Sequence, residues 1–418
     1  MQIHPFAAIR SPAHRVSEVS CPPYDVVSLA EATAIASARP NSFMRVIRPE
    51  VDFAADQDPH AAEVYERGLD NLHALIGRGF LVREPSPVMY VYRQARGGRK
   101  QAGLACCVGV DAYLRGEIRK HELTRPDKEL DRTQHMLTVG AHCEPVLLTV
   151  TGELDFVRQL GRDMNHRPLF HFLARDGVTH TLWAVQDAEA YHGIFKGIER
   201  AYIADGHHRC AAAARVAEQL GASESSGDDA ESGRFPAVIF PAEELVILAY
   251  HRLARFASGQ SSESVHHALA KAGSLEPILD GADPAPAKRG EIGVFLGGKW
   301  LRFRLPAVTS ESPLDQLDVV RLTHTVLAPI LGINEERTNP RISFLGGCST
   351  DRLAQTVLDG SSDIAFAMHP TSISELLLVA SANLIMPPKS TWFDPKICSG
   401  LFLHPFASSS AGGLLSQR

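Results

Sequence analysis

The stretch Ala201-Tyr202-Ile203-Ala204-Asp205-Gly206-His207-His208-Arg209-Cys210-Ala211-Ala212-Ala213-Ala214 decides the fold class. Its first four residues are apolar and short, as a buried strand requires. Asp205 and Gly206 are turn residues. From Cys210 to Leu220 the chain is rich in alanine, the strongest helix former. A strand therefore turns directly into a helix, with His207, His208 and Arg209 at or near its first turn. The first N–H groups of a helix lack internal partners, and the helix dipole is positive there. A phosphate or carboxylate at that end meets open donors. Gly206 lets the backbone approach closely, Arg209 offers a two-pronged fork to anionic oxygens, and the histidines add donors whose charge responds to pH. Cations at a helix N-terminus otherwise cost up to about 1 kcal/mol each when exposed. Two histidines and an arginine there point to an external anion. The plainer reading makes Asp205 a helix cap, with the His and Arg side chains directed elsewhere.

Outward from this turn, the pattern predicts a mixed α/β (α+β) chain of several packed subdomains, as a length of 418 residues suggests. Residues 1–245 form the first. It has helical periodicity from His60 to Gly79 and strands predicted at 88–93, 105–113, 146–150 and 180–185. Residues 246–312 form a small α/β subdomain, with a helix over 263–272 and a hairpin over 292–305 that turns on Gly297-Gly298. Residues 313–406 form a C-terminal α/β subdomain, with helices predicted at 317–331, 350–358 and 372–382 and strands at 342–345 and 364–368. The acidic, low-complexity segment 221–233 is expected to be a mobile surface loop, and 407–418 a disordered tail.

Three further segments are dense in functional side chains. Cys21-Pro22-Pro23-Tyr24-Asp25-Val26 is stiffened by its double proline. His121-Glu122 precedes Lys128-x-x-Asp131-Arg132, in which Lys128 and Arg132 lie four apart and so share a helix face. Met386-Pro387-Pro388-Lys389-Ser390-Thr391 and Pro395-Lys396 set two lysines and two hydroxyls in a proline-rich loop, which suits an anion clamp. Each has a bland counterpart: a packing loop, a solvated charged helix and a solvated surface loop. Cys210 reads as core among the alanines.

Composition excludes several classes. The net charge is -6, so binding of nucleic acid by bulk charge is not expected. No apolar run approaches the roughly 18 residues that span a membrane, and residues 1–10 lack the long apolar stretch of a signal peptide; the expected location is the cytoplasm. Seven cysteines without a C-x-x-C pair argue against a disulfide framework and a common structural zinc site. No G-x-x-x-x-G-K-[ST] or G-x-G-x-x-G occurs. His121, His135, His142, His207 and His208 could meet Glu122 or Asp205 at a metal, yet there is no H-E-x-x-H or H-x-H spacing. No metal held by the protein alone is expected.

Asp205 to Arg209, between strand and helix, resembles the phosphate-binding signature of the ParB/sulfiredoxin superfamily, which includes CTP-binding partition proteins, ATP-using sulfiredoxins and free-serine kinases. The wider set resembles a bacterial and archaeal conserved-hypothetical family, the domain of unknown function ten-fifteen. That set is Cys21 to Val26, His121-Glu122-x-Thr124, Lys128-x-x-Asp131-Arg132, Ala204 to Arg209, Met386 to Thr391, and Pro395-Lys396-x-x-Ser399-Gly400-Leu401. The superfamily likeness implies phosphoryl chemistry, and most concretely nucleotide-dependent phosphorylation of a small hydroxylated molecule such as free serine. On that reading Gly206, His207, His208, Arg209 and Lys128 bind phosphate. Glu122 accepts the proton, with His121 and Asp205 also in the catalytic set, and Arg132 stabilises charge. Asp131 orients Arg132 or holds Mg²⁺, and Tyr24, Asp25, Lys389, Ser390, Thr391 and Lys396 clamp substrate. Mg²⁺ with ATP or ADP is the implied cofactor, and a small molecule the partner. Two alternatives stand beside it: a metal-assisted hydrolase using the His/Glu/Asp cluster, and a nucleotide-sensing protein without turnover.

Overall fold

The computed structural model describes residues 1–152, 154–222, 231–279 and 281–406. Most of the acidic segment (223–230) and the tail 407–418 lie outside the described residues. The chain is mixed α/β and divides into two compact units. The first comprises residues 1–119, 124–245 and 395 onward; the second comprises 120–123 and 246–394.

The first unit is built on a nine-stranded mixed sheet. One of its inner strands is Val146–Val150, buried at every position and apolar apart from Thr149, whose hydroxyl donates to the Phe240 carbonyl at 3.0 Å. Such a run needs cover on both faces and so becomes an inner strand. It pairs in parallel with Arg234–Pro241 and antiparallel with Ala201–Asp205. Arg234–Pro241 continues onto Arg99–Gly109, which forms a hairpin with Tyr90–Arg96. Gly97 and Gly98, at φ 57° and 83°, make the turn, a pair of positive φ angles that fits a strand twist. The sequence predicts strand from 105 to 113; the strand begins earlier and stops at Gly109, and Val110–Leu114 is helical.

One core lies against this sheet and includes Leu104, Leu148, Phe156, Tyr191, Phe195, Ile203 and Ile239. Full burial of each such side chain contributes about 1.5–3 kcal/mol. The helices Pro126–Val139 and His207–Gln219 pack together through Met136, Ala212 and Val216, the alanine allowing close approach. A second core gathers Cys21, Tyr24, Phe43, Met44 and Leu72. Beside it, a small sheet sets Phe402–Pro405 between Ile9–Arg10 and Ala141–His142. This draws the chain's last described strand into the unit that contains its first.

The second unit holds a six-stranded antiparallel sheet: Ser274–Pro277, Lys299–Arg304, Glu291–Leu296, Ile364–Ala367, Tyr250–Ala254 and Ile342–Gly346, in that order. The hairpin on Gly297-Gly298 forms, with both φ positive. The helix expected over 317–331 is instead an α-helix at Asp318–Leu322 followed by a π-helical turn at Thr323–Leu327. No helix among the described residues is long and apolar enough to cross a membrane.

Candidate functional site

Ala201–Asp205 ends the strand, and Gly206, at φ 102°, caps the helix His207–Gln219 without any side-chain cap bond. Asp205 is therefore not the cap. Its carboxylate accepts from Nη2 of Arg209 at 3.1 Å and faces Nζ of Lys396 at 3.2 Å. Burial alone would raise the Asp205 carboxyl, but Lys396 and then Arg209 outweigh it and hold it well below the usual carboxylate range. Arg209 is buried, and its Nη1 also donates to the Pro145 carbonyl. Two of the five donors of the guanidinium are thus used within the chain. The fork folds back over the turn: a Cβ on Gly206 would stand 3.0 Å from Cζ of Arg209. Glycine is required here both for the positive φ and for that space. Cys210 is fully buried, and burial pushes its thiol up to about 12.

A second layer surrounds the turn. The Arg132 guanidinium lies 4.4 Å from the centroid of the Tyr24 ring, within cation–π range. Arg132 also donates to Oδ2 of Asp131 at 2.9 Å and to the Ile47 carbonyl at 3.3 Å. The other Asp131 oxygen accepts from Tyr65 at 3.0 Å and faces Nδ1 of His60 at 3.2 Å. Glu144, buried, accepts from the Tyr24 backbone N–H at 3.2 Å and from the Ser399 hydroxyl at 2.5 Å. Its carboxyl is raised by burial, against the opposing field of Arg209. The Cys21 and Ser399 backbones bond reciprocally at 3.1 and 2.9 Å, and Gln94 donates to the Lys396 carbonyl at 2.8 Å. Asp25 is exposed on the same loop, close enough to act electrostatically on Tyr24 and Arg209.

The first unit thus brings together four segments far apart in sequence: Tyr24-Asp25, Asp131-Arg132, Asp205 to Arg209, and Lys396. Lys128 also belongs to this unit, but it is exposed on the first turn of its helix whereas Arg132 is buried. His121, Glu122, Lys389, Ser390 and Thr391 belong to the second unit. There His121 is buried, with Nε2 3.4 Å from the Thr391 hydroxyl, and its carbonyl accepts from the Met386 N–H at 2.8 Å. Glu122 is half-buried. Ser390 donates to the Pro387 carbonyl at 2.8 Å, and the Lys389 carbonyl accepts from Arg252 at 3.1 Å. Lys389 itself is exposed, with Nζ 5.7 Å from the Tyr250 ring centroid.

Two residues of the first unit's cluster have no role in the sequence reading. Ser399 lies inside a quoted motif. Glu144 has a weak signal, a single acid in Cys143-Glu144-Pro145 just ahead of a largely apolar strand. Of the histidines weighed for a metal, His135 is bonded at 2.7 Å to the Val46 carbonyl, and His142 stacks on His404 with centroids 5.7 Å apart. Among the described residues, no three His, Cys, Asp or Glu side chains gather as a metal site.

Among solved structures, the chain is similar to a conserved hypothetical protein from Pyrococcus furiosus, with TM-score 0.37 and 14% identity over 71% of this chain and 95% of that one. It is similar to a free serine kinase in complex with AMP, with TM-score 0.38 and 16% identity over 71% and 92%. It is also similar to SbnI with a C-terminal truncation from Staphylococcus aureus, with TM-score 0.38 and 12% identity over 71% and 85%. No curated protein matches. Residues 3–320 match the family described as Protein of unknown function (DUF1015), and the chain belongs to that family.

Proposed function

We propose that this chain is an enzyme of phosphoryl chemistry that holds the phosphates of a nucleotide, ATP or ADP, at Gly206 to Arg209. Its most concrete form is nucleotide-dependent phosphorylation of a small hydroxylated metabolite such as free serine. The observation that supports this reading is a helix start without a side-chain cap at which Asp205 and Arg209 meet the distant Lys396. A helix start of this kind favours anionic oxygens through its first N–H groups and its dipole.

Each side chain of the first unit then has a role. Lys396 supplies positive charge at the turn. Arg209 holds the turn's shape, because its fork is fixed by Asp205 and the Pro145 carbonyl. A proton acceptor works best with a pKa near the operating pH. Asp205, held well below the usual range, stays ionised and positions its two cations instead. Asp131 orients Arg132, since both its oxygens are engaged. Glu144 is buried beneath Tyr24 and Ser399. Of these four carboxylates Asp25 is the exposed one, and we assign it to receive the substrate hydroxyl proton. Mg²⁺ would come with the nucleotide, resting on its phosphates, as that ion prefers.

The test is incubation of the chain with Mg²⁺, ATP or ADP, and serine, followed by phosphorus NMR. The reading predicts a phosphomonoester of serine with the nucleotide shortened by one phosphate. An unchanged spectrum with both nucleotides across a panel of hydroxylated metabolites overturns it.

A further inference from the structure

The second unit contains a cavity of about 390 Å³ that the phosphate reading does not use. One wall is apolar: Leu314, Val320, Ile385, Met386 and Pro387. The other is polar: Thr323 and His324 come from the π-helical turn at Thr323–Leu327, closed by the Ala328 N–H on the Thr323 carbonyl at 2.9 Å, and Asn334, Glu335, Glu336 and Arg337 from the chain after it. π turns are rare and frequently occur at functional sites.

Three charged residues lie on that wall, and they differ in their state. Glu336 is buried and satisfied: it accepts from the Thr323 hydroxyl and faces Nε of Arg252 at 3.4 Å. Its charge is balanced inside the unit. Arg337 is half-buried, and its guanidinium makes no hydrogen bond or ion pair among the described residues. A guanidinium held against a cavity without a partner suits a carboxylate from outside. Glu335, exposed beside it, accepts from the Arg337 backbone N–H at 3.0 Å and lines the same cavity. One cation and one anion at the polar end, with an apolar wall opposite, describe a zwitterion with a greasy body.

We propose that this cavity binds a free α-amino acid with an apolar side chain. Its carboxylate pairs with Arg337, its ammonium with Glu335, and its side chain lies on Leu314, Val320 and Met386. The site is contained in the second unit and is independent of the phosphate-binding turn, so either reading can fail alone.

Titration calorimetry on the full chain tests it with four probes: L-leucine, 4-methylpentanoate (leucine without its amine), 3-methylbutylamine (leucine without its carboxylate) and L-serine. Leucine is expected to bind saturably, and each of the other three at least about tenfold more weakly, the scale of one lost charge-assisted bond or apolar contact. Arg337→Gln should weaken leucine about tenfold without a change in Tm, since Arg337 supports no other side chain. Leu314→Trp, which fills the cavity, should abolish the heat of binding. No binding of leucine, serine binding as tightly as leucine, the amine binding as tightly as leucine, or Arg337→Gln binding like the parent would each overturn the proposal.

Discussion

Gly206→Ala isolates the geometry of the Asp205–Arg209 turn. Gly206 sits at φ 102°, and an added Cβ would stand 3.0 Å from both Cζ and Nε of Arg209. The left-handed backbone alone costs an L residue about 1–2 kcal/mol. Moving the guanidinium also weakens its bonds to Asp205 and Pro145, and a hydrogen bond to a charged group contributes about 1.5–3 kcal/mol. With partial relaxation the loss should be roughly 3 kcal/mol. Gly177→Ala is the control: its φ is 80°, yet nothing lies within 4 Å of the added Cβ. It should show only the backbone part, about 1–2 kcal/mol. Urea unfolding of parent and both variants, with equal m-values, gives the comparison. If the two alanines destabilise equally, Arg209 is not packed on the turn and the account of the site is wrong.

Other expectations follow from the same geometry. Arg209→Lys keeps the charge but lacks the planar fork, so it should lose about 2 kcal/mol of stability and bind nucleotide more weakly; parental values for both in calorimetry and urea titration would show the fork to be idle. Asp25→Asn should leave nucleotide affinity near the parent's while turnover falls by about 100-fold or more, whereas unchanged turnover in the phosphate-transfer assay would move the proton acceptor elsewhere. Burial lowers His135, His180 and His251 each to about 4. The unfolded chain then holds more protons between about 4 and the ordinary value near 6.5, so stability rises with pH across that window. His135→Gln should flatten part of this rise in urea midpoints, and an equally steep rise in the variant would show His135 to be uninvolved.

The strand–turn–helix at 201–219 was legible because its signals are local: four apolar residues, a glycine and a run of alanine. The hairpin on Gly297-Gly298 and the central strand Val146–Val150 were legible for the same reason. What the sequence hid is set by long-range packing. Nothing local shows that Cys21 pairs with Ser399, or that Lys396 reaches Asp205. The fold-back of Arg209 depends on a carbonyl 64 residues away. The helix expected over 317–331 differs for a subtler reason, since α and π turns draw on the same residue types and differ in which carbonyl each N–H finds. Lys128 and Arg132 share a face by spacing, but burial separates them because only Arg132 meets Tyr24 and Asp131.

On the proposed function, the Asp205–Arg209 turn of the first unit binds nucleotide phosphates. Calorimetric titration of ATP and ADP with Mg²⁺ into the parent and into Lys396→Met tests it most directly. Lys396 lies 3.2 Å from Asp205 at the turn, so removing its charge should weaken binding by about tenfold or more, the scale of one charge-assisted contact. Saturable one-site binding to the parent and that loss in the variant are expected. No heat of binding from either nucleotide in the parent, or equal affinity in parent and variant, would contradict it.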